Sequence, residues 1–190
     1  MNVKAKRNGT QVVTGKVRLS YANLFTPKAS NDGGDEKYSV SLLIDKNDKD
    51  TVGAIKAAIE DAKERDKGKW NGKIPAGLKV PLRDGDDERP DDDNYAGCYF
   101  INCNSKSKPA VVGLTKDAVT GKPTVLGEDE VYSGAYARVS VNFYGYNTNG
   151  NKGIGAGLGN VQKLEDGERL GGGSSAEADF DFEDEEDFLG

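Results

Sequence analysis

Ala135-Tyr136-Ala137-Arg138-Val139-Ser140-Val141-Asn142-Phe143-Tyr144-Gly145-Tyr146 alternates without a break. Odd positions carry Ala, Ala, Val, Val, Phe and Gly, and even positions carry Tyr, Arg, Ser, Asn, Tyr and Tyr. A period of two over this length predicts a long strand with one face in a core. The other face holds three tyrosines, an arginine and an amide, where a face built for solubility would favour Lys, Glu and Thr. Rings supply stacking surfaces for bases, while Arg and Asn supply donors for phosphates and base edges. Tyrosine is also a common strand residue, so a plain edge-packing role competes with this reading.

Working outward, the turn residues 147–151 (Asn-Thr-Asn-Gly-Asn) predict a hairpin to a strand over 152–164. Within that strand, Gly153, Gly155, Gly157 and Gly159 recur at period two and leave one face bare. Neither phosphate-loop pattern is present, so the glycines imply close packing or an extended ligand. Upstream, residues 12–21 read as one strand with Val13, Val17, Leu19 and Tyr21 on one side and Lys16, Arg18 and Ser20 on the other. Lys16 and Arg18 would extend the surface of Tyr136, Arg138, Asn142, Tyr144 and Tyr146. Residues 38–45 form another strand with Tyr38, Val40, Leu42 and Ile44 on a shared face. Residues 95–104 and 109–114 are read as a further pair, followed by a turn at Thr120-Gly121-Lys122-Pro123. Only residues 50–67 suit a helix, with Val52, Ile55, Ile59 and Ala62 in a stripe and Asp50 as cap. The expectation is a mainly β domain over 1–170: a partly open five-stranded barrel with one helix.

The net charge of −6 hides a segregation. Eight acids and no base lie between Glu177 and Asp187, behind a linker of Gly and Ser at 171–175. A second acidic block, residues 84–93, holds seven acids and Arg89; outside both blocks 25 basic side chains face 17 acidic ones. A basic body with a detached acidic tail fits a nucleic-acid binder that carries its own competitor, and solubility alone is the plainer alternative. Residues 171–190 are expected to be disordered in isolation. Phe180, Phe182 and Phe188, with Asp187, are then anchors for a partner's pocket. The acidic block at 84–93 reads as a solvated loop, with weak cation binding a second reading. A metal-dependent nuclease or recombinase using Asp86, Asp87 and Asp91 to Asp93 is a rival for the whole chain. A protein-interaction module that ignores DNA is another.

The absence of histidine excludes His-based catalysis and His metal ligands, and two cysteines cannot complete a zinc site. Cys98 and Cys103, five apart in a strand, point to opposite faces and do not pair; two reduced thiols suit a cytoplasm. No apolar run reaches the roughly 18 residues of a membrane span, and the N-terminus lacks a secretory core.

Three blocks carry a resemblance: Tyr95-Ala96-Gly97-Cys98-Tyr99-Phe100-Ile101-Asn102-Cys103-Asn104-Ser105-Lys106, the stretch 131–144 around the first strand, and Gly157-Leu158-Gly159-Asn160-Val161-Gln162-Lys163. Over residues 3–170 the chain resembles the single-stranded DNA-binding proteins of tailed bacteriophages. That resemblance implies an OB-fold and no enzymatic activity or cofactor. It also implies sequence-independent binding of single-stranded DNA in phage replication, recombination and repair, in the cytoplasm of an infected bacterium. The acidic tail is similar to tails that recruit a polymerase, helicase or primase, although here the chain stops at Phe188-Leu189-Gly190. The oligomeric state stays open, a homo-oligomer included.

Overall fold

The computed structural model describes residues 2–29 and 33–171. In chain order the strands are β1 (Lys6–Asn8), β2 (Gln11–Val13), β3 (Val17–Lys28) and β4 (Lys37–Asp45). Helix α1 (Lys49–Arg65) follows, then β5 (Arg83–Asp84), the single turn α2 (Gly85–Glu88) and β6 (Cys98–Ser105). The last four strands are β7 (Val111–Lys116), β8 (Pro123–Val125), β9 (Tyr136–Thr148) and β10 (Asn151–Glu165). Five of them form a ring: β9 pairs with β3, β3 with β4, β4 with β6, β6 with β10, and β10 with β9. The β6–β10 contact is parallel and rests on the single register pair Gly157↔Asn104, so the ring is only partly closed. This is the expected OB-like arrangement, extended by β1 and β2 beside β9 and by β7 and β8 beside β10.

The period-two pattern of β9 is obeyed throughout: Ala137, Val139, Val141 and Phe143 are buried. They meet Val40, Leu42 and Ile44 of β4 and Val52, Ile55 and Ile59 of α1 in one core. The hairpin to β10 turns on Asn149 and Gly150, both at positive φ, as an Asn-Gly turn demands.

Three expected elements differ. Residues 12–21 are not one strand. The chain breaks at Gly15, whose N–H donates to Thr51 Oγ1 at the start of α1, and a Cβ there would lie 2.7 Å from the Val3 carbonyl oxygen. The break inverts the first part of the pattern, so Val12 and not Val13 is the core residue; Tyr21 is exposed because of a separate register shift between Ser20 and Asn23. Second, Asp48 and not Asp50 caps α1: its carboxylate accepts from the Thr51 N–H and from the Thr51 hydroxyl. Third, β6 and β7 are not partners. β10 lies between them, because its free edge is long enough to pair β6 at Gly157 and β7 at Val161 and Gln162.

The acidic block is also more than a solvated connection. Lys46 Nζ bridges Asp84 and Asp86, each at 2.7 Å, and Glu88 holds Arg83 at 2.8 Å. The Lys46 ammonium draws both aspartates below the ordinary carboxylate range, and their hydrogen bonds raise Lys46 in turn. The segment thereby covers a second small core of Leu43, Tyr95 and Phe100 on the outer face of β4 and β6. Cys98 packs beside that cluster and Cys103 lies in the main core, both as free thiols; burial pushes Cys103 up to about 12.

Candidate nucleic-acid interface

The outer face of the ring is set by register. Asn142 of β9 stands opposite Gly157 of β10, Gly157 opposite Asn104 of β6, Asn104 opposite Ser39 of β4, and Ser39 opposite Asn23 of β3. Gln11 of β2 extends the row beyond Asn142. In-register neighbours share a face. One band of amides, a serine and a glycine therefore crosses every strand of the ring, with none of its members apolar or buried. Hydrogen bonds hold its ends: Thr10 Oγ1 donates to Asn142 Oδ1 at 3.1 Å, and Asn23 Nδ2 to Ser39 Oγ at 3.3 Å.

Beside this band, the alternating glycines of β10 find their reason. Tyr146 is paired with Gly153 and Tyr144 with Gly155. A Cβ at Gly155 would lie 2.5 Å from Tyr144 Cζ, and one at Gly153 would lie 2.5 Å from the Tyr146 hydroxyl. Each ring rests across the bare backbone, half-buried underneath and open above. Tight packing was one of the two readings of those glycines, and the packing partner is an aromatic ring. The backbone under the tyrosines is bolted to the end of α1. Asp66 accepts from the Gly145 N–H at 2.7 Å, and the Trp70 indole N–H donates to the Tyr146 carbonyl at 3.0 Å. The adjacent Arg65 guanidinium, helped by that N–H, holds the Asp66 carboxyl down to about 2.

The other predicted residues divide. Lys16 and Arg18 do gather at Tyr136, with Nζ 5.1 Å and the guanidinium carbon 5.6 Å from the ring centroid. That cluster is eight residues along β9 from Tyr144, about 26 Å at the usual strand rise. It is also engaged: Lys16 pairs with Glu165 at 3.0 Å, and Arg18 donates to the carbonyls of Gly134 and Glu168. Arg138 spends donors on the carbonyls of Thr14 and Lys4. Arg18 and Arg138 thus hold the chain's own backbone. Phe180, Phe182, Asp187 and Phe188 lie outside the described residues.

Two concavities flank the Asn23–Asn104 part of the band, and the sequence pattern pointed to neither. The smaller, about 400 Å³, has Ser39 and Asn104 in its wall with Lys28, Lys37 and Lys106 against Asp35. Lys28 and Lys37 are directly opposed across β3 and β4, an unfavourable pairing unless an anion lies between. The larger, about 800 Å³, is bordered by Tyr21, Asn23, Phe25, Tyr132 and Arg169. These residues come from well-separated segments, so no local spacing announces them. Among the described residues no three acids or thiols are gathered as a metal site would need. Within the acidic block, Asp84 and Asp86 turn to Lys46, Glu88 to Arg83, and Asp92 to the Asn94 backbone N–H.

The described surface thus carries a polar band open to solvent, two rings lying on glycine, and three lysines, of which Lys106 pairs with Asp35 at 3.1 Å. Comparison with known proteins identifies the family. The model of the family described as the single-stranded DNA-binding protein of Enterobacter phage Enc34 matches residues 10–189. The chain belongs to this family of phage single-stranded DNA-binding proteins. It is 33% identical over 175 residues to protein p50 of Acyrthosiphon pisum secondary endosymbiont phage 1, covering 87% of this chain and 89% of that one. The solved structure of the Enc34 protein in complex with single-stranded DNA superposes with a TM-score of 0.70 at 28% identity, over 90% of this chain and 98% of that chain. The gp2.5 protein of bacteriophage T7 shares the fold at a TM-score of 0.56 and 18% identity, over 94% of this chain and 96% of that chain. Among the described residues no helix is long and apolar enough to cross a membrane.

Proposed function

We propose that this protein binds single-stranded DNA without reading its sequence, and that the strand follows the outer polar band from Asn142 and Tyr144 on β9 to Ser39 and Asn23 on β4 and β3. The observation that carries the reading is the in-register row itself, bordered by Tyr144 and Tyr146 at one end and by Lys28, Lys37 and Lys106 at the other. Rings offer a face to every base, and lysines meet phosphates as point charges, so neither contact discriminates between sequences. Lys16 adds charge at a distance, with Tyr136 behind it, while Arg18 and Arg138 frame the site. In the cell this activity would protect single strands during phage replication, recombination and repair. The acidic segment with Phe180, Phe182, Asp187 and Phe188 would recruit a polymerase, helicase or primase. No cofactor and no catalytic step are part of this reading.

The test is a titration of a labelled oligothymidine and of a duplex of equal length, with the intact protein and with Tyr144→Ala. Binding of the single strand is expected to be stronger, and Tyr144→Ala to weaken it by about 1–3 kcal/mol. Equal affinity for duplex and single strand would overturn the reading.

A further inference from the structure

Tyr21 adopts a backbone conformation that tyrosine seldom takes, with φ at 46°. The cause is a bulge: Ser20 pairs with Ser41 and Asn23 with Ser39, so β3 holds one more residue than β4 between those pairs. The bulge is fixed on both sides. The Ala22 N–H donates to Ser133 Oγ at 3.0 Å, and Asn23 Nδ2 donates to the Tyr21 carbonyl at 3.2 Å. Strained left-handed residues persist only where the surroundings impose them, and they gather at functional positions. Here the result is a ring 62% exposed at the border of the larger concavity. Packing does not explain it, since a residue serving the core would turn inward as Leu19 and Leu24 do.

The chemistry of the concavity differs from that of its lysine-lined neighbour. Lys28 and Arg169 are matched there by Asp92 and Glu128, so it is not an anion site by charge. What it offers is planar: Tyr21, and the Tyr132 ring with the Arg169 guanidinium carbon 4.2 Å from its centroid. The amides of Asn23 and Asn94 supply donors and acceptors that suit any base edge. Tyr132 is itself held, its hydroxyl donating to Asp166 Oδ1 at 2.8 Å.

We propose that this concavity captures a nucleobase turned out of the bound single strand, with Tyr21 as its stacking face and the Tyr132–Arg169 pair as a second planar wall. The inference rests on the single-strand reading above and adds a division of labour: phosphates at Lys28, Lys37 and Lys106, a base at Tyr21. It also fixes one end of the binding track, because the band reaches the concavity at Asn23.

The experiment compares two ligands of equal length, an oligothymidine and an abasic deoxyribose-phosphate oligomer, across wild type, Tyr21→Ala, Tyr21→Phe and Tyr21→Gly. Tyr21→Ala is expected to weaken oligothymidine binding about tenfold and to leave abasic binding within twofold. Tyr21→Phe should bind as wild type. Tyr21→Gly should lose as much affinity as Tyr21→Ala while unfolding at a higher temperature, since glycine adopts this φ without strain. A merely structural role predicts the reverse for Tyr21→Gly, namely stability lost and binding kept. Equal losses on both ligands, or none on either, overturn the base pocket. A wild-type protein that binds neither oligomer defeats the single-strand reading instead, and the two failures are thereby separated.

Discussion

Asp66 shows how one carboxylate positions a binding surface it does not touch. It joins Arg65 at the end of α1 to the Gly145 N–H in β9, between Tyr144 and Tyr146. Its folded-state value of about 2 lies below the ordinary 3.8. A depressed carboxylate contributes stability above its unfolded value and loses it as pH falls through the folded one. About 1–2 kcal/mol should therefore disappear between roughly pH 4 and pH 2. Urea midpoints measured across that range should converge for wild type and Asp66→Ala at the acid end and separate at neutral pH; parallel curves would remove Asp66 from this role. Gly155 makes a second case at the same scale. A Cβ there meets Tyr144 at 2.5 Å, so Gly155→Ala should lift the ring and cost about as much single-strand affinity as Tyr144→Ala, with the far-ultraviolet spectrum unchanged. An alanine variant that binds normally would show that the ring's seat on Gly155 is irrelevant. Tyr144, Tyr146 and Asn142 were legible because an unbroken period of two names its outer face. Tyr21 was not, since a bulge adds one residue, shifts the phase, and leaves no mark in composition.

At the scale of elements, the N-terminus of α1 ties three segments together. Asp48 accepts from the Thr51 backbone and hydroxyl, and the Thr51 hydroxyl in turn accepts from Gly15 in the gap between β2 and β3. Replacing Asp48 with Ala should cost about 1 kcal/mol, the usual loss for an N-cap, and Gly15→Ala should cost more because backbone and capping atoms both stand in the way. Chemical denaturation of the two variants checks the order; an Asp48→Ala protein as stable as wild type would mean that the cap is idle. This junction also explains why residues 12–21 alternate as one strand would and yet form two. Alternation survives the three-residue break at Thr14, Gly15 and Lys16 in appearance, and the partner that forces the break, Thr51, is 36 residues from Gly15. The long strands, the Asn149-Gly150 hairpin and the helix were legible from local period and turn chemistry. The insertion of β10 between β6 and β7 was not, because nothing within either segment states which edge it will meet. The Lys46 clamp belongs here as well. Lys46→Met should leave Asp84 and Asp86 without their cation, release the cover over Leu43, Tyr95 and Phe100, and lower the thermal midpoint at neutral pH. The deficit should shrink as pH falls below the ordinary carboxylate range, where the aspartates of the parent are protonated too.

For the whole molecule the question is how a basic face and an acidic segment share one chain. Gly171, the last described residue, lies at the concavity bordered by Tyr21, so the segment that follows starts beside the proposed track. Eight acids within eleven residues, with Phe180, Phe182 and Phe188 among or beside them, offer negative charge and rings in the combination a single strand offers. A short tether places such a segment at an effective concentration near millimolar. Competition for Lys28, Lys37 and Lys106 then follows from charge alone, and it must weaken as salt screens both partners, over about 10 Å at 0.1 M and much less at 1 M. Deleting residues 177–190 should tighten single-strand binding several-fold at low ionic strength. The advantage should vanish as salt rises, while any recruitment of a replication partner through the acidic segment is abolished at every salt concentration. Paired salt titrations of the intact and shortened proteins, read by anisotropy of a labelled oligothymidine, measure the first effect. Identical curves at low ionic strength would dismiss the competitor role and leave the segment as a docking peptide only.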